Sequence, residues 1–182
     1  RNLLGLPQKK RLILFGSYGS NTSLNKGFDL LLKALKALHS YKENYELVIF
    51  GEASHLDISQ LTLPLHLMGH IKDDQRLVML YSAADVMIIP SRQEAFGQVA
   101  SEAQACGTPV VAFSTSGLKD IIEHGQTGYL AKPFNIDDFI AGIKWVLTSK
   151  NRYDLEHVTP FFRNSGKFKI DNYKSKNNFS NL

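Results

Sequence analysis

Two glutamates on either side of a glycine are the side chains of this chain best suited to chemistry. Glu94 lies three residues before Gly97, and Glu102 lies five residues after it. A helix that begins at Gly97 leaves the backbone N–H groups of Gly97 and Gln98 unobstructed, and its dipole favours a phosphate or diphosphate there. The sequence therefore predicts an anion site with a carboxylate on each side of it.

The spacing of these groups predicts which anion would fit. Glu102 lies about 7 to 8 Å along the helix axis from Gly97, which is close to the distance from a diphosphate to the ribose of a nucleotide. A carboxylate can accept hydrogen bonds from two vicinal hydroxyls, so Glu102 suits a ribose diol and Glu94 suits a sugar beyond the phosphates. One ligand class satisfies all three features, namely a nucleotide diphosphate sugar.

The flanking sequence predicts how these residues are positioned. The run 85–89 is continuously apolar after Asp85 and is closed by Pro90, as expected of a buried parallel strand whose carboxyl end faces a crevice. Ligands bind at such strand ends in open α/β sheets. After it, apolar residues recur at helical spacing, which predicts one packed helix face. That face comprises Phe96, Val99, Ala100, Ala103 and Cys106.

Strand-like and helix-like segments alternate along most of the chain, which favours an α/β fold with a parallel, doubly wound sheet. The chain has 182 residues, of which 43% are apolar, and this is enough to bury one hydrophobic core. We therefore expect one domain, over residues 10–150. The predicted strands are 12–16, 47–51, 65–69, 86–90, 110–113 and 128–131, and the predicted helices are 28–39, 74–82, 97–106, 118–123 and 136–148.

With these motifs the chain resembles the donor-binding half of retaining family 4 glycosyltransferases (glycosyl transferases group 1) of GT-B fold, over residues 10–147. Glu94 and Glu102 match the E-x7-E signature of that family. The supporting matches are Asn25-Lys26-Gly27-Phe28, Tyr81-Ser82-Ala83-Ala84-Asp85, Gly107-Thr108-Pro109 and Gly125-Gln126-Thr127-Gly128.

The resemblance implies a Rossmann-like half of a GT-B enzyme that transfers a sugar from a UDP- or GDP-sugar to a glycan or lipid-linked acceptor. It implies catalytic roles for Glu94 and Lys26, with Lys26 on the donor phosphates and Ile71 beside the nucleobase. It implies that the site binds a nucleotide diphosphate sugar as donor substrate and needs neither a cofactor nor a metal ion. The donor-binding residues by this reading are Gly16, Lys26, Gly51, Ile71, Glu94, Phe96, Gly97, Gln98, Val99 and Glu102.

Five of these residues also have a purely structural interpretation. Glu94 would favour a helix N-terminus without any ligand, and Glu102 could be ordinary helix surface. Lys26 could be a solvated loop lysine, Gly51 could simply end a strand, and Ile71 could belong to the core.

One departure from the family concerns the loop before Lys26. The family commonly carries an arginine there, whereas residues 16–25 contain no basic side chain. Either Lys26 and the backbone amides suffice for the phosphates, or another part of the enzyme contributes charge.

The resemblance also sets the expected domain organisation. We expect residues 1–9 to be an interdomain linker and residues 151–182 to be a partly ordered extension. The chain then represents a carboxyl-terminal domain, inactive alone, whose acceptor binds through an amino-terminal half. We expect a cytoplasmic protein, with peripheral association at the inner face of the membrane as a further expectation.

Composition and residue spacing argue against nucleic-acid binding and against a metal site. The net charge of +4 accompanies no recognised nucleic-acid-binding pattern, so we expect no nucleic-acid partner. The six histidines show no metal-ligand spacing, and the single cysteine, Cys106, reads as a small buried residue. The remaining rivals are a sugar-nucleotide epimerase or phosphorylase of the same fold, and a non-catalytic nucleotide-binding or receiver-like module.

Overall fold

The computed structural model describes residues 1–17, 25–54 and 56–148, which form a six-stranded parallel sheet with helices on both faces. The strands are β1 (Arg11–Ser17), β2 (Tyr45–Gly51), β3 (Leu65–Gly69), β4 (Val86–Ile89), β5 (Val110–Phe113) and β6 (Gly128–Ala131). The α-helices are α1 (Phe28–Ala37), α2 (Asp74–Ala83), α3 (Gln98–Ala105) and α4 (Ile136–Thr148). The predicted α/β class is confirmed.

The strand order is β3-β2-β1-β4-β5-β6, with all neighbours parallel. This is the Rossmann order, in which the direction of strand addition reverses between β1 and β4. Helices α1 and α3, which follow these two strands, pack on opposite faces of the sheet, which leaves a crevice at the carboxyl ends of the strands. The fold thus places the loops after β1 and β4, which carry Lys26 and Glu94, on one crevice.

Alternation along the strands divides the core into two layers. Ile13 and Phe15 of β1 pack with α1 and α4 on one face of the sheet, whereas Leu12 and Leu14 pack with α2 and α3 on the other. Successive side chains of a strand point to opposite faces, so a sheet covered on both sides needs apolar residues throughout. This explains the continuous apolar runs that identified the strands.

Residues 1–9, interpreted from sequence as a linker, pack against the domain. Leu6 is buried, and Arg1 donates to a carboxylate oxygen of Asp85 at 2.7 Å. Asp85 also accepts from Arg11 at 2.9 Å and from the backbone N–H of Leu12 at 2.8 Å. Their role as a linker between two halves stays a prediction, and the predicted extension 151–182 lies outside the described residues.

One predicted helix is wrong. In place of an α-helix over 118–123, the chain forms a 3-10 helix at Ser116–Asp120. The physical reason is the contact of Gly117 with the loop that carries Glu94. The N–H of Gly117 donates to the carbonyl of Glu94 at 3.2 Å, and a Cβ atom on Gly117 would lie 2.7 Å from the carbonyl oxygen of Ala95.

Gly27 allows the loops after β1 and β4 to approach each other. It caps α1 at a φ of 69°, and a Cβ atom there would lie 1.9 Å from the carbonyl oxygen of Pro90. That distance is far inside van der Waals contact, and the obstructing atom belongs to the backbone. A larger residue at position 27 must therefore push the two loops apart.

We predict that Gly27→Ala is more destabilising than glycine replacement at a comparable backbone angle. Gly5 has a φ of 66° with no atom near its Cβ position, so Gly5→Ala should cost only the left-handed strain, about 1 to 2 kcal/mol. Gly27→Ala should cost at least about 2 kcal/mol more because the backbone must shift. Urea unfolding of both variants measures the difference, and equal losses would contradict the close approach.

Candidate functional site

A cleft lies at the carboxyl ends of β1 and β4, where the sheet topology reverses. Four of the residues expected at a donor site line it together, although they are distant in sequence: Gly16, Lys26, Glu94 and Val99. Apolar residues of the strand ends and Ser91 complete the lining, which comprises Phe15, Met87, Ile88, Ile89 and Ser91. The site is therefore concave and largely apolar, with one cation and one anion at its mouth.

Lys26 and Glu94 form an ion pair across this cleft. The ammonium Nζ of Lys26 lies 2.9 Å from Oε2 of Glu94, and the two side chains are 35% and 20% exposed. The pair joins the loop after β1 to the loop after β4. Because each charge has a partner, both can stay at the mouth of an apolar cleft, yet both remain accessible to a ligand.

A second ion pair joins the same two loops. Arg92 binds Asp29 through two hydrogen bonds, of 2.8 and 2.7 Å, and the backbone N–H of Arg92 donates to the carbonyl of Asn25 at 2.8 Å. The hydrogen bonds from Arg92 hold the pKa of Asp29 below its ordinary value. Asp29 lies in the first turn of α1, where a carboxylate also favours the helix dipole.

Sequence reasoning missed the pairing of Arg92 with Asp29. The two residues are 63 positions apart, and no local spacing in the sequence pairs them. Arg92 is the basic residue nearest in sequence to Glu94, yet both terminal nitrogens of its guanidinium donate to Asp29. Among the described residues, Lys26 is the basic side chain that lines the cleft, and loop residues 18–24 lie outside the described part.

The amino end of α3 has the predicted geometry. Gly97 caps the helix in the left-handed region at a φ of 54°, and no side chain caps the first N–H groups. A Cβ atom on Gly97 would lie 2.6 Å from Cδ1 of Ile121, so the position favours glycine for both space and backbone angle. Within the described residues, the cap thus offers the first N–H groups of α3 no side-chain acceptor.

Glu102 lies beside Gln98 on α3, as the helical spacing predicts. Nε2 of Gln98 donates to Oε1 of Glu102 at 2.9 Å. The other carboxylate oxygen accepts a hydrogen bond of 2.9 Å from the hydroxyl of Tyr81 on α2. Tyr81 was visible in the sequence only as part of a family motif, and its contact with Glu102 was not foreseen.

The expected packing of Phe96 is wrong. Phe96 is 85% exposed, although its spacing had placed it on the apolar face of the following helix. The left-handed conformation of Gly97 interrupts the helical phase, so Phe96 precedes α3 and does not share its periodicity. The packed face consists of later residues, and Ala100 and Ala103 are fully buried against the sheet.

Several expected donor-binding residues do not line this cleft. Gly51 has a φ of 92°, and a Cβ atom there would lie 2.0 Å from the carbonyl oxygen of Ser17, so strand packing alone accounts for it. Ile71 is 8% exposed and belongs to the core layer under α2 and α3. The remaining members outside the cleft are Phe96, Gly97, Gln98 and Glu102.

The chain belongs to the family Glycosyl transferases group 1, whose match covers residues 2–157. D-inositol 3-phosphate glycosyltransferase of Xylanimonas cellulosilytica is 40% identical over 141 residues, covering 71% of this chain and 32% of that protein. Lipopolysaccharide 1,2-N-acetylglucosaminetransferase of Salmonella typhimurium is 33% identical over 153 residues, covering 76% of this chain and 40% of the relative.

Among solved structures, HepE of Anabaena in complex with UDP and glucose shares the fold. The TM-score is 0.68 at 21% identity, and the match covers 92% of this chain and 47% of HepE. The chain spans about a third to two fifths of the length of the curated relatives it matches.

Residues 1–17, 25–54 and 56–148 show neither a metal centre nor a membrane span. No group of three or more His, Cys, Asp or Glu side chains there could hold a metal ion. No helix in the same ranges combines the length and apolar character needed to cross a bilayer. The expectation of a metal-free site remains a prediction.

Cys106, directly after α3, is half-buried beside the core layer that contains α2 and α3. Burial, together with the negative charge of Glu102, raises the pKa of its thiol to about 12. Because the pKa is raised on folding, this thiol contributes stability below its ordinary pKa of 9.0 and loses that contribution as the pH rises towards 12.

We therefore predict that native Cys106 reacts slowly with thiol reagents. At pH 8 its thiolate fraction, and hence its alkylation rate, should be about a thousandfold below that of an exposed thiol. Because the chain has a single cysteine, unfolding in guanidinium gives a direct control. The alkylation rate of Cys106 should then rise to that of an exposed thiol. Equal rates in the native and unfolded chain would contradict the raised pKa of this thiol.

Proposed function

We propose that this chain is the donor-binding domain of a retaining GT-B glycosyltransferase. The donor would be a UDP- or GDP-sugar, and the acceptor a glycan or lipid-linked saccharide. The observation that carries the proposal is the pairing of Lys26 with Glu94 across an apolar cleft at the topological switch point, with the uncapped helix α3 following directly. Ligands of open α/β sheets bind at such a switch point.

Each group has a role in the proposed reaction. Sugar transfer breaks the bond from the anomeric carbon to the diphosphate oxygen and forms a bond to an acceptor hydroxyl, which releases a proton. Negative charge grows on the departing diphosphate, and Lys26 with the amides of Gly97 and Gln98 would stabilise it. Glu94 would orient the hydroxyls of the sugar, and Glu102 would hold the ribose.

The ion pair gives this site a resting arrangement. Without donor, Lys26 and Glu94 neutralise each other at 2.9 Å. A diphosphate offers Lys26 a doubly charged acceptor, and a sugar offers Glu94 hydroxyl donors, so both residues would exchange their partner on binding. The new contacts to the donor would offset the loss of this half-buried ion pair.

The Rossmann strand order argues against the receiver-like rival. Receiver domains have the order 2-1-3-4-5, whereas this sheet has β3-β2-β1-β4-β5-β6. Family membership favours sugar transfer over the remaining rivals. UDP is present in the HepE complex, which supports a uridine nucleotide as the first donor to test.

The wider setting of the reaction is also a proposal. The acceptor would bind through an amino-terminal half, and the reaction would take place in the cleft between the halves. We propose a cytoplasmic protein with peripheral access to the inner face of the membrane, no metal requirement, and no nucleic-acid partner. Relatives that act on inositol phosphate and on lipopolysaccharide support a soluble or lipid-linked acceptor equally.

We predict that Lys26→Ala weakens the binding of UDP or GDP, whichever stabilises the chain in a thermal-shift panel of UDP, GDP, ADP and their sugars. Loss of one charge-assisted contact to a diphosphate should reduce affinity at least about tenfold. Titration calorimetry at two salt concentrations measures the loss and its electrostatic part. Lys33→Ala, an exposed lysine on α1, is the matched control and should leave affinity unchanged.

If no nucleotide raises the melting temperature and none binds by calorimetry, the proposed function is wrong. Equal affinities for the Lys26 and Lys33 variants would instead remove Lys26 from the phosphate site.

We also predict that Glu102→Ala weakens nucleoside diphosphate binding by about tenfold or more, because a carboxylate bound to two hydroxyls is lost. The same calorimetric titration checks this result. Unchanged affinity would show that Glu102 does not hold the ribose.

A further inference from the structure

The environment of Glu102 is more ordered than a glutamate on a helix surface requires. A glutamate has three rotatable bonds, and its carboxylate ordinarily samples several positions. Here each carboxylate oxygen has a donor from the protein, with Tyr81 on Oε2 and Gln98 on Oε1. The two donors come from different directions, since Gln98 is exposed on α3 whereas Tyr81 is 1% exposed on α2.

The position of the Tyr81 hydroxyl is itself set by the core. The ring packs edge-on against Phe50, with centroids 5.6 Å apart and an interplanar angle of 85°. The carbonyl of Tyr81 accepts a hydrogen bond of 2.5 Å from the hydroxyl of Thr108, which follows α3. The backbone and ring of Tyr81 are thus both anchored, so the hydroxyl presents one direction to Glu102.

We infer that Tyr81 is a positioning residue for ribose recognition, which fixes the carboxylate of Glu102 through Oε2 so that its remaining lone pairs face a nucleotide diol. This inference rests on the proposed role of Glu102. A carboxylate offers about four acceptor sites, so one bond from Tyr81 leaves capacity for two hydroxyls. Tyr81 does not need to touch the ligand, because it acts through Glu102.

Gln98 has a different role in this arrangement. Its side chain is exposed and bonds to Oε1, and an incoming hydroxyl can displace it without burying an unpaired group. Tyr81 cannot leave in the same way because its ring is enclosed in the core. The carboxylate therefore keeps its inner hydrogen bond and exchanges its outer one.

The test compares ribonucleotides with 2′-deoxyribonucleotides, because only the former carry the diol. The probes are UDP with 2′-deoxy-UDP and GDP with 2′-deoxy-GDP, titrated into the 182-residue chain and its variants by calorimetry. We expect the wild type to bind the ribonucleotide about tenfold more tightly than its deoxy form. We expect Tyr81→Phe to reduce that ratio to about threefold or less, because affinity for the ribonucleotide falls more than affinity for the deoxy form, which has only one hydroxyl for Glu102.

The matched control is Tyr129→Phe. Tyr129 also donates to a carboxylate, Asp138, at 2.7 Å, but it lies on the edge strand β6. This variant should keep the full discrimination between the two nucleotides. A double variant of Tyr81→Phe with Glu102→Ala should discriminate no less than Glu102→Ala alone, because Tyr81 acts only through that carboxylate.

The outcomes separate this inference from the proposed function. If Tyr81→Phe prefers the ribonucleotide over its deoxy form as strongly as the wild type does, the positioning role is overturned, whereas the proposed nucleotide binding stands. Equal wild-type affinity for both forms overturns the ribose role of Glu102 and the inference together. Binding of no nucleotide overturns the proposed function and with it this inference.

A purely structural role of Tyr81 would weaken both nucleotide forms to the same extent, which would also overturn the inference. If Tyr81→Phe fails to fold, the same titrations use Glu102→Asp instead. Aspartate keeps the charge, but its side chain is one methylene shorter, so its carboxylate lies farther from the hydroxyl of Tyr81. Full discrimination in that variant would overturn the inference.

Discussion

The arrangement of this domain depends on the close approach of two loops that leave the sheet at β1 and β4. Gly27 makes the approach possible, since its Cα lies where any Cβ would collide with the backbone of Pro90. Arg92 then joins the loops through Asp29 and Asn25. Because the strand order reverses at this point, the contact forms the wall of a cleft and not a closed core.

Charge is placed at the mouth of the cleft, and apolar residues line its interior. Lys26 and Glu94 satisfy each other in a partly exposed position, whereas the basic group of Arg92 is held by Asp29. The loop with Glu94 is further supported by the 3-10 segment after β5, through the contact of Gly117. A carboxylate and an ammonium are thereby held in a fixed relation by backbone contacts from three separate segments.

The layered core supplies the rigidity that these groups need. Both faces of the sheet are covered, and helix α3 lies close to it because Ala100 and Ala103 are small. The neighbouring helix α2 contributes Tyr81, whose ring packs in the core while its hydroxyl reaches Glu102. Packing of α3 against the sheet and its hydrogen bond to α2 thus hold the helix in place.

The amino-acid sequence by itself determined the strands, most of the helices, the glycine that opens α3 and the adjacency of Gln98 and Glu102, because these follow from local periodicity and backbone preference. It misplaced Phe96 and the segment after β5, where a left-handed residue and a distant backbone contact override local pattern.

Only the tertiary structure decided that Lys26 meets Glu94 across 68 positions, that Arg92 is held by Asp29, and that Tyr81 reaches Glu102. Such contacts depend on the order in which strands pair, and no local feature of a chain encodes that order.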